Sequence, residues 1–191
     1  MTSLKHKNFL KRELQILFLI GVVILAVWLG LLARENIFIQ GVVSSYGYGG
    51  VFLVSIISGF NIVVPVPTAA FFPLFAVSGL NPWLTVFVIA VGVTLADAAS
   101  YFVGKFGRRL VPLSTEKTIV RMEKLRNRVH YLPLIVLFFF AAFIPFPNEV
   151  LIIPMAFLGY RMRHLLLPVS LGNATFNTLA MLGTLNLFKL L

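Results

Sequence analysis

Two carboxylates stand where a chain holds them at greatest cost: Asp97 within "VFVIAVGVTLADAASYF" and Glu149 within "FIPFPNEVLIIPMAF". An acid at the centre of a bilayer costs about 2.5 to 3.5 kcal/mol even on the lenient insertion scale, so its default reading is functional. Two buried acids can take up and release protons, and Asp97 and Glu149 are the expected coupling residues. Around them lie side chains able to hold a polar headgroup. Asn61, Thr68, Asn148, Asn173 and Asn177 offer amides and a hydroxyl, and Arg161 and Arg163 offer cations for a phosphate. No His–Glu pair, Ser–His set or metal-ligand spacing falls within the apolar stretches, and His130 and His164 sit at their edges. Neither catalytic residues nor a metal or cofactor is expected, and the chain is read as something other than an enzyme.

The elements that position these residues must lie in a membrane. The chain of 191 residues is 59% hydrophobic and only 12% charged, against about half and about a quarter in soluble domains. Its formal charge of +10 comes from sixteen Lys and Arg. They cluster between apolar stretches, which points to anionic lipid headgroups rather than nucleic acid. With no cysteine, disulfides and thiolate chemistry are excluded.

One membrane domain, 1–191, is expected, in an all-α polytopic architecture. An apolar run over 14–33 is long enough to cross about 30 Å of hydrocarbon. It is read as a retained span rather than a signal peptide, because it is long and lacks a small-residue cleavage site. "RENIFIQGVVSSYGYGG" then reads as a polar, glycine-rich surface segment. A broken apolar segment follows over 50–80, a span over 83–104, a second broken segment over 131–160 and a last span over 164–188. Residues 105–130 form the one sizeable polar connection, where Ile119, Met122, Leu125 and Val129 put an apolar stripe on a basic interfacial helix.

The breaks come from prolines. "PVPTAAFFPLFAVSG" and "PFPNEVLIIPMAFLG" each open on Pro-x-Pro, Pro65 and Pro67 in one and Pro145 and Pro147 in the other. Each proline removes a backbone donor and disfavours helix in the residue before it, so neither segment continues as one spanning helix. Such breaks are tolerated in a bilayer only where protein or a water-filled cavity covers the freed backbone. Two shapes fit, a kinked span or a re-entrant hairpin, and charge favours the second. With both segments re-entrant, fourteen of the sixteen basic residues lie inside with the N-terminus, and only Arg34 and Lys189 lie outside.

Opposed hairpins predict an inverted repeat. Sliding the sequence by eighty residues brings Phe60 onto Phe140, Pro65 onto Pro145, Pro67 onto Pro147, Gly79 onto Gly159 and Gly92 onto Gly172. Asp97 falls on Asn177, its nearest uncharged shape. Broken helices in inverted repeats are a transporter arrangement, with the substrate site near the midplane. Thr68 and Asn148, directly after the paired prolines, are placed to cap the returning half-helices. Gly92 and Gly172 are expected to permit close helix packing.

"PVPTAAFFPLFAVSGLNPWLTVFVIAVGVTLADAASYFVGKFGRR" resembles the first half of the DedA (SNARE-associated, VTT-domain) family, and "FIPFPNEVLIIPMAFLGYRMRHLLLPVSLGNA" is similar to its second half. The resemblance covers about residues 50 to 180. It implies a lipid-translocating membrane protein, acting on polyprenyl phosphate or on phospholipids, with proton coupling. Family members usually carry an acid before the first Pro-x-Pro, where this chain has Phe60 and Asn61, and often Gly-Glu after it, where it has Thr68 and Ala69. They usually carry Arg on both sides of the second tip, where it has Ala142 and Asn148, with Glu149 at the tip.

Two function classes follow. The first is a lipid flippase or scramblase in a prokaryotic plasma membrane, N-terminus cytoplasmic, acting on anionic headgroups with protons as the coupling partner, alone or as a homo-oligomer. The alternative is a non-transporting scaffold that recruits partners through its basic amphipathic loop.

Overall fold

The computed structural model describes residues 28–60, 68–109 and 131–190, with 21, 24 and 25. The chain is all-helical over these residues, with no strand among them. Residues 28–35 are helical, and most of the N-terminal span expected over 14–33 lies outside the described residues. So do Asn61, Pro65, Pro67 and the basic stripe of the central connection.

Helix α1 is Ile37–Gly59, followed after the first break by a 3₁₀ turn, Thr68–Phe71, and the short helix α2, Phe72–Val77. Helix α3 is Pro82–Arg109, so the span expected to end at 104 continues into the connection expected to begin at 105. The second half holds α4 (Leu132–Phe143), α5 (Glu149–Phe157) and α6 (Met162–Leu190). Among the described residues, three helices are long and apolar enough to cross a membrane: Ile37–Gly59, Pro82–Arg108 and Met162–Asn186.

The surface segment expected before residue 50 is instead helical from Ile37. Asn36 starts it, its Oδ1 accepting from the amides of Phe38 at 3.0 Å and Ile39 at 3.2 Å. Glycines there cost helix propensity in water, but a helix pairs every backbone group within the segment, which an apolar medium requires. Only Gly47 departs, at φ 51 and ψ −144, and splits α1 into two pieces at a kink. The piece after the kink matches α4 in length, twelve residues or about 18 Å.

Each half then returns on itself through the same turn. In the first, the amides of Ser78, Gly79 and Leu80 donate to the carbonyls of Leu74, Ala76 and Phe75, each at 3.1 Å. In the second, Leu158, Gly159 and Tyr160 donate to Pro154, Ala156 and Met155 at 2.9 to 3.1 Å. Both turns need a left-handed residue, and Gly79 (φ 84) and Gly159 (φ 82) supply it. In the first half the Asn81 main-chain amide donates to the Tyr48 hydroxyl at 2.9 Å, so α3 begins beside the second piece of α1.

Glycines bring the arms onto the spans. A methyl group at Gly92 would lie 2.7 Å from Ser55 Cβ and 3.1 Å from the Phe52 carbonyl oxygen. One at Gly172 would lie 2.5 Å from Ala141 Cβ and 3.0 Å from the Phe138 oxygen. The glycines are eighty residues apart, but the arm residues they meet are 86 apart (138 − 52 and 141 − 55). Phe60 and Phe140 are therefore not in matching places.

Two apolar cores result. One contains Val51, Phe72, Leu80, Ile89 and Met181. The other contains Leu137, Ile152, Tyr160, Val169 and Tyr101. Position by position they correspond, at an offset of 86 in the arms and eighty elsewhere. Met181 on α6 enters the first core, and Tyr101 on α3 enters the second, so each core takes one side chain from the other half's span. α3 and α6 also pack on each other, and the polar residues between the cores meet along that contact.

Candidate functional site

Asp97 lies on α3, one turn before Tyr101, and only 1% of it is exposed. Its Oδ2 receives two amide donors, Asn173 Nδ2 from α6 at 2.8 Å and Asn148 Nδ2 from the second break at 3.1 Å. Asn148 also donates to Asn173 Oδ1 at 2.9 Å, closing a triangle of one carboxylate and two amides. Asn173 spends its other donor bond on Thr94 Oγ1, 3.2 Å away and one turn from Asp97. Both donors converge on Oδ2, and among the described residues Asp97 Oδ1 accepts no hydrogen bond. Three separate pieces of chain are thereby tied at one point.

Glu149 follows Asn148 directly and is as buried as Asp97, at 2% exposure. It occupies the first turn of α5, where the helix dipole favours an acid. Its neighbour Asn148 donates to Asp97, which puts the two acids on either side of one amide side chain. Among the described residues no buried Lys, Arg or His accompanies them.

The second half of α6 explains why its asparagines face inward. Thr175, Thr178 and Thr184 return their hydroxyls to main-chain carbonyls one turn back, at 2.7 to 2.8 Å, and so are satisfied within the helix. Asn173 is the residue that reaches across. Asn177, one turn further and also buried, donates to the Asn173 carbonyl oxygen at 2.8 Å.

Of the residues singled out from the sequence, Asp97, Glu149, Asn148 and Asn173 come together. Asn177 adjoins them along α6. Thr68 is buried elsewhere, hydrogen-bonded to Ser58 at the end of α1. Asn61 lies outside the described residues. Arg161 and Arg163 are exposed at the start of α6, and Arg163 lies ten residues, about 15 Å, from Asn173 along the helix. They do not reach the cluster.

The capping role expected of Asn148 is not what its side chain does. The residue has helical angles, φ −62 and ψ −24, and makes no side-chain cap; its amide goes to Asp97 and Asn173. An uncapped amide costs α5 less than an unanswered carboxylate would cost the interior, which resolves the competition. Among the described residues Asp97 bonds neither Asn177 nor Tyr101. The Tyr101 hydroxyl donates instead to the Tyr160 carbonyl oxygen, at 3.0 Å.

Two participants were missed. Thr94 precedes Asp97 by three residues, a spacing that puts both on one helix face, and that signal was readable. Ser58 carries no comparable signal among the serines of α1. Comparison of the chain with family models, with characterised proteins and with solved structures finds no match.

Proposed function

We propose that this chain is a DedA-like lipid transporter, a flippase or scramblase for phospholipid or polyprenyl-phosphate lipids, coupled to protons through Asp97 and Glu149. Two re-entrant hairpins, related by an inverted repeat, surround a midplane site in this reading. The observation that carries it is the buried triangle of Asp97, Asn148 and Asn173 beside Glu149, built where a proline break meets two long apolar helices. Buried acids at a helix break are costly to a scaffold and useful to a carrier.

Further observations support the architecture. The hydrogen bond from Asn81 to Tyr48 favours a segment that dips and returns over one that crosses. The exchange of Tyr101 and Met181 between the cores favours a twofold relation between the halves. In the second half the twelve-residue helix α4, about 18 Å, falls short of a bilayer's hydrocarbon, as a re-entrant arm should.

The test is translocation of acyl-labelled lipids in liposomes containing the purified protein. Wild-type protein is expected to move lipid at a rate that varies with pH, while Asp97→Asn keeps the fold and loses the variation. Full pH dependence in the Asp97→Asn, Glu149→Gln double variant would end the proton-coupled reading. Failure of the wild-type protein to move any lipid would leave the scaffold alternative.

A further inference from the structure

The start of α5 is fastened by a side chain that leaves its own helix uncapped. Asn148 donates from Nδ2 to Asp97 Oδ2 on α3 at 3.1 Å and to Asn173 Oδ1 on α6 at 2.9 Å. Its main-chain carbonyl meanwhile opens α5, accepting from the Ile152 amide at 2.9 Å. One residue thereby ties the helix start to both long helices. The far end of α5 is held by packing instead. A methyl group at Gly104 on α3 would run into the Ile153 carbonyl oxygen and lie 2.9 Å from Ala156 Cβ, and the Tyr101 hydroxyl donates to the Tyr160 carbonyl oxygen just beyond the helix. Pro154 lies at the near edge of that clamp and has no amide hydrogen to return to Val150. A helix that lacks this bond bends there most readily.

The two fastenings answer a proton differently. Hydrogen bonds to an ionised partner are about twice as strong as those between neutral groups, and both donors to Asp97 converge on one oxygen, so a proton on Asp97 weakens both bonds together. The packing at Gly104 contains no titratable group and is indifferent to pH. Around Asp97, α5 contributes one acid, Glu149, and α6 contributes Asn173, its own charged groups Arg161, Arg163 and His164 lying nine residues or more away along the helix. α1 also packs on α3, and the residues it buries, Val51, Ser55, Ser58 and Gly59, do not titrate. The corresponding break in the first half is held by the Thr68 and Ser58 hydroxyls, a tie with no acid in it.

We infer that Asn148 is the positioning residue that couples the charge on Asp97 to the place of α5: the helix start is held against α3 and α6 while Asp97 is ionised, and swings about Pro154 when Asp97 takes a proton. This rests on the transport reading, in which Asp97 gains and loses a proton, and names the part that responds. The movement is confined to 148–152, because Ile153 and Ala156 stay clamped at Gly104. It uncovers Asp97 from the side of the break only after its charge is gone.

The experiment measures a distance. The chain has no cysteine, so Val150→Cys on α5 and Leu171→Cys on α6, both exposed positions, take a pair of spin labels, and the separation is read across pH by double electron–electron resonance in lipid nanodiscs. Acidification should raise the ratio of displaced to held protein roughly tenfold, the difference between two charged and two neutral hydrogen bonds. Glu149→Gln should keep that response, because Asp97 carries it. Asp97→Asn and Asn148→Leu should each show the displaced separation at every pH. Asn148→Asp should invert the response, since two carboxylates repel when both are ionised and share a proton when one is not, and this variant decides the matter should Asn148→Leu fail to fold. A separation indifferent to pH in the labelled parent, or an Asn148→Asp protein that responds as the parent does, would overturn the inference. If the separation responds while liposomes containing the protein move no lipid, the transport reading falls and the proton-driven latch stands. If lipid moves at a pH-dependent rate while the separation stays fixed, the latch falls and the transport reading stands.

Discussion

The two halves of the molecule share a skeleton and differ in what they bury. Each packs a helix against its following long helix at a glycine, and turns through a left-handed glycine before that long helix begins. In the second half the return begins with Asn148 and Glu149; in the first it begins with Thr68 and Ala69. Where the halves agree, the residues serve backbone geometry. Where they disagree, the second half's break brings the acid Glu149 and the amide of Asn148 that answers Asp97. That contrast separates residues needed for folding from residues available for function.

The largest effect should come where the halves agree most. Gly92→Ala and Gly172→Ala each drive a methyl group to within 2.7 Å of a neighbouring Cβ, with a carbonyl oxygen about as near. Backbone on both sides leaves little room to yield, so each should cost about 3 kcal/mol, the upper end for overpacking. Gly183→Ala, with nothing within 4 Å, should be neutral or slightly stabilising. Thermal unfolding in detergent measures all three. Equal losses at Gly92 and Gly172 would sharpen the correspondence, and a loss at only one of them would break it.

A smaller effect should appear where the halves differ. Asn173→Leu removes a donor to Asp97, a donor to Thr94 and the acceptor for Asn148. Leaving a buried carboxylate short of a donor should cost about 2 kcal/mol. Asn177→Leu removes only a bond to a main-chain oxygen, so the same unfolding measurement should move by about half as much or less. Equal losses would mean that the carboxylate adds nothing to the hold on Asn173.

How far the sequence revealed this can be judged residue by residue. Asp97 and Glu149 were conspicuous because apolar stretches exclude acids unless something answers them, and Asn148 and Asn173 belong to the answer. The left-handed turns were legible in Gly79 and Gly159 at one spacing. The arms were less so, because a shift of eighty residues cannot register arms that correspond at 86, and it set Phe60 on Phe140 where packing pairs Phe52 with Phe138. The helix from Ile37 to Gly47 was hidden by glycines that read as loop in water. Asn148 as a cap failed for a different reason: local rules rank its backbone first, and only the tertiary fold brings a carboxylate within its reach. Arg161 and Arg163 were grouped with the site by charge alone, which says nothing of distance along α6.

The smallest effect tests whether the two turns are equivalent in energy as well as in shape. Gly79 and Gly159 hold φ of 84 and 82, where an L-residue pays about 1 kcal/mol or slightly more for its Cβ. A methyl group at Gly79 meets nothing within 4 Å, so Gly79→Ala should lose that amount and no more, about 2 to 4 °C in Tm for a domain of this size. The second turn has an added tie, because the carbonyl oxygen of Tyr160, next after Gly159, accepts from the buried Tyr101 hydroxyl on α3. Relaxing the strain at Gly159→Ala by shifting the turn would stretch that bond too. Its cost should exceed that of Gly79→Ala by about 0.5 to 1.5 kcal/mol, the worth of one hydrogen bond. In a Tyr101→Phe background the excess should vanish and the two glycine substitutions should become equal. If the excess persists there, the turns differ in something other than the Tyr101 contact, and their likeness is one of shape alone.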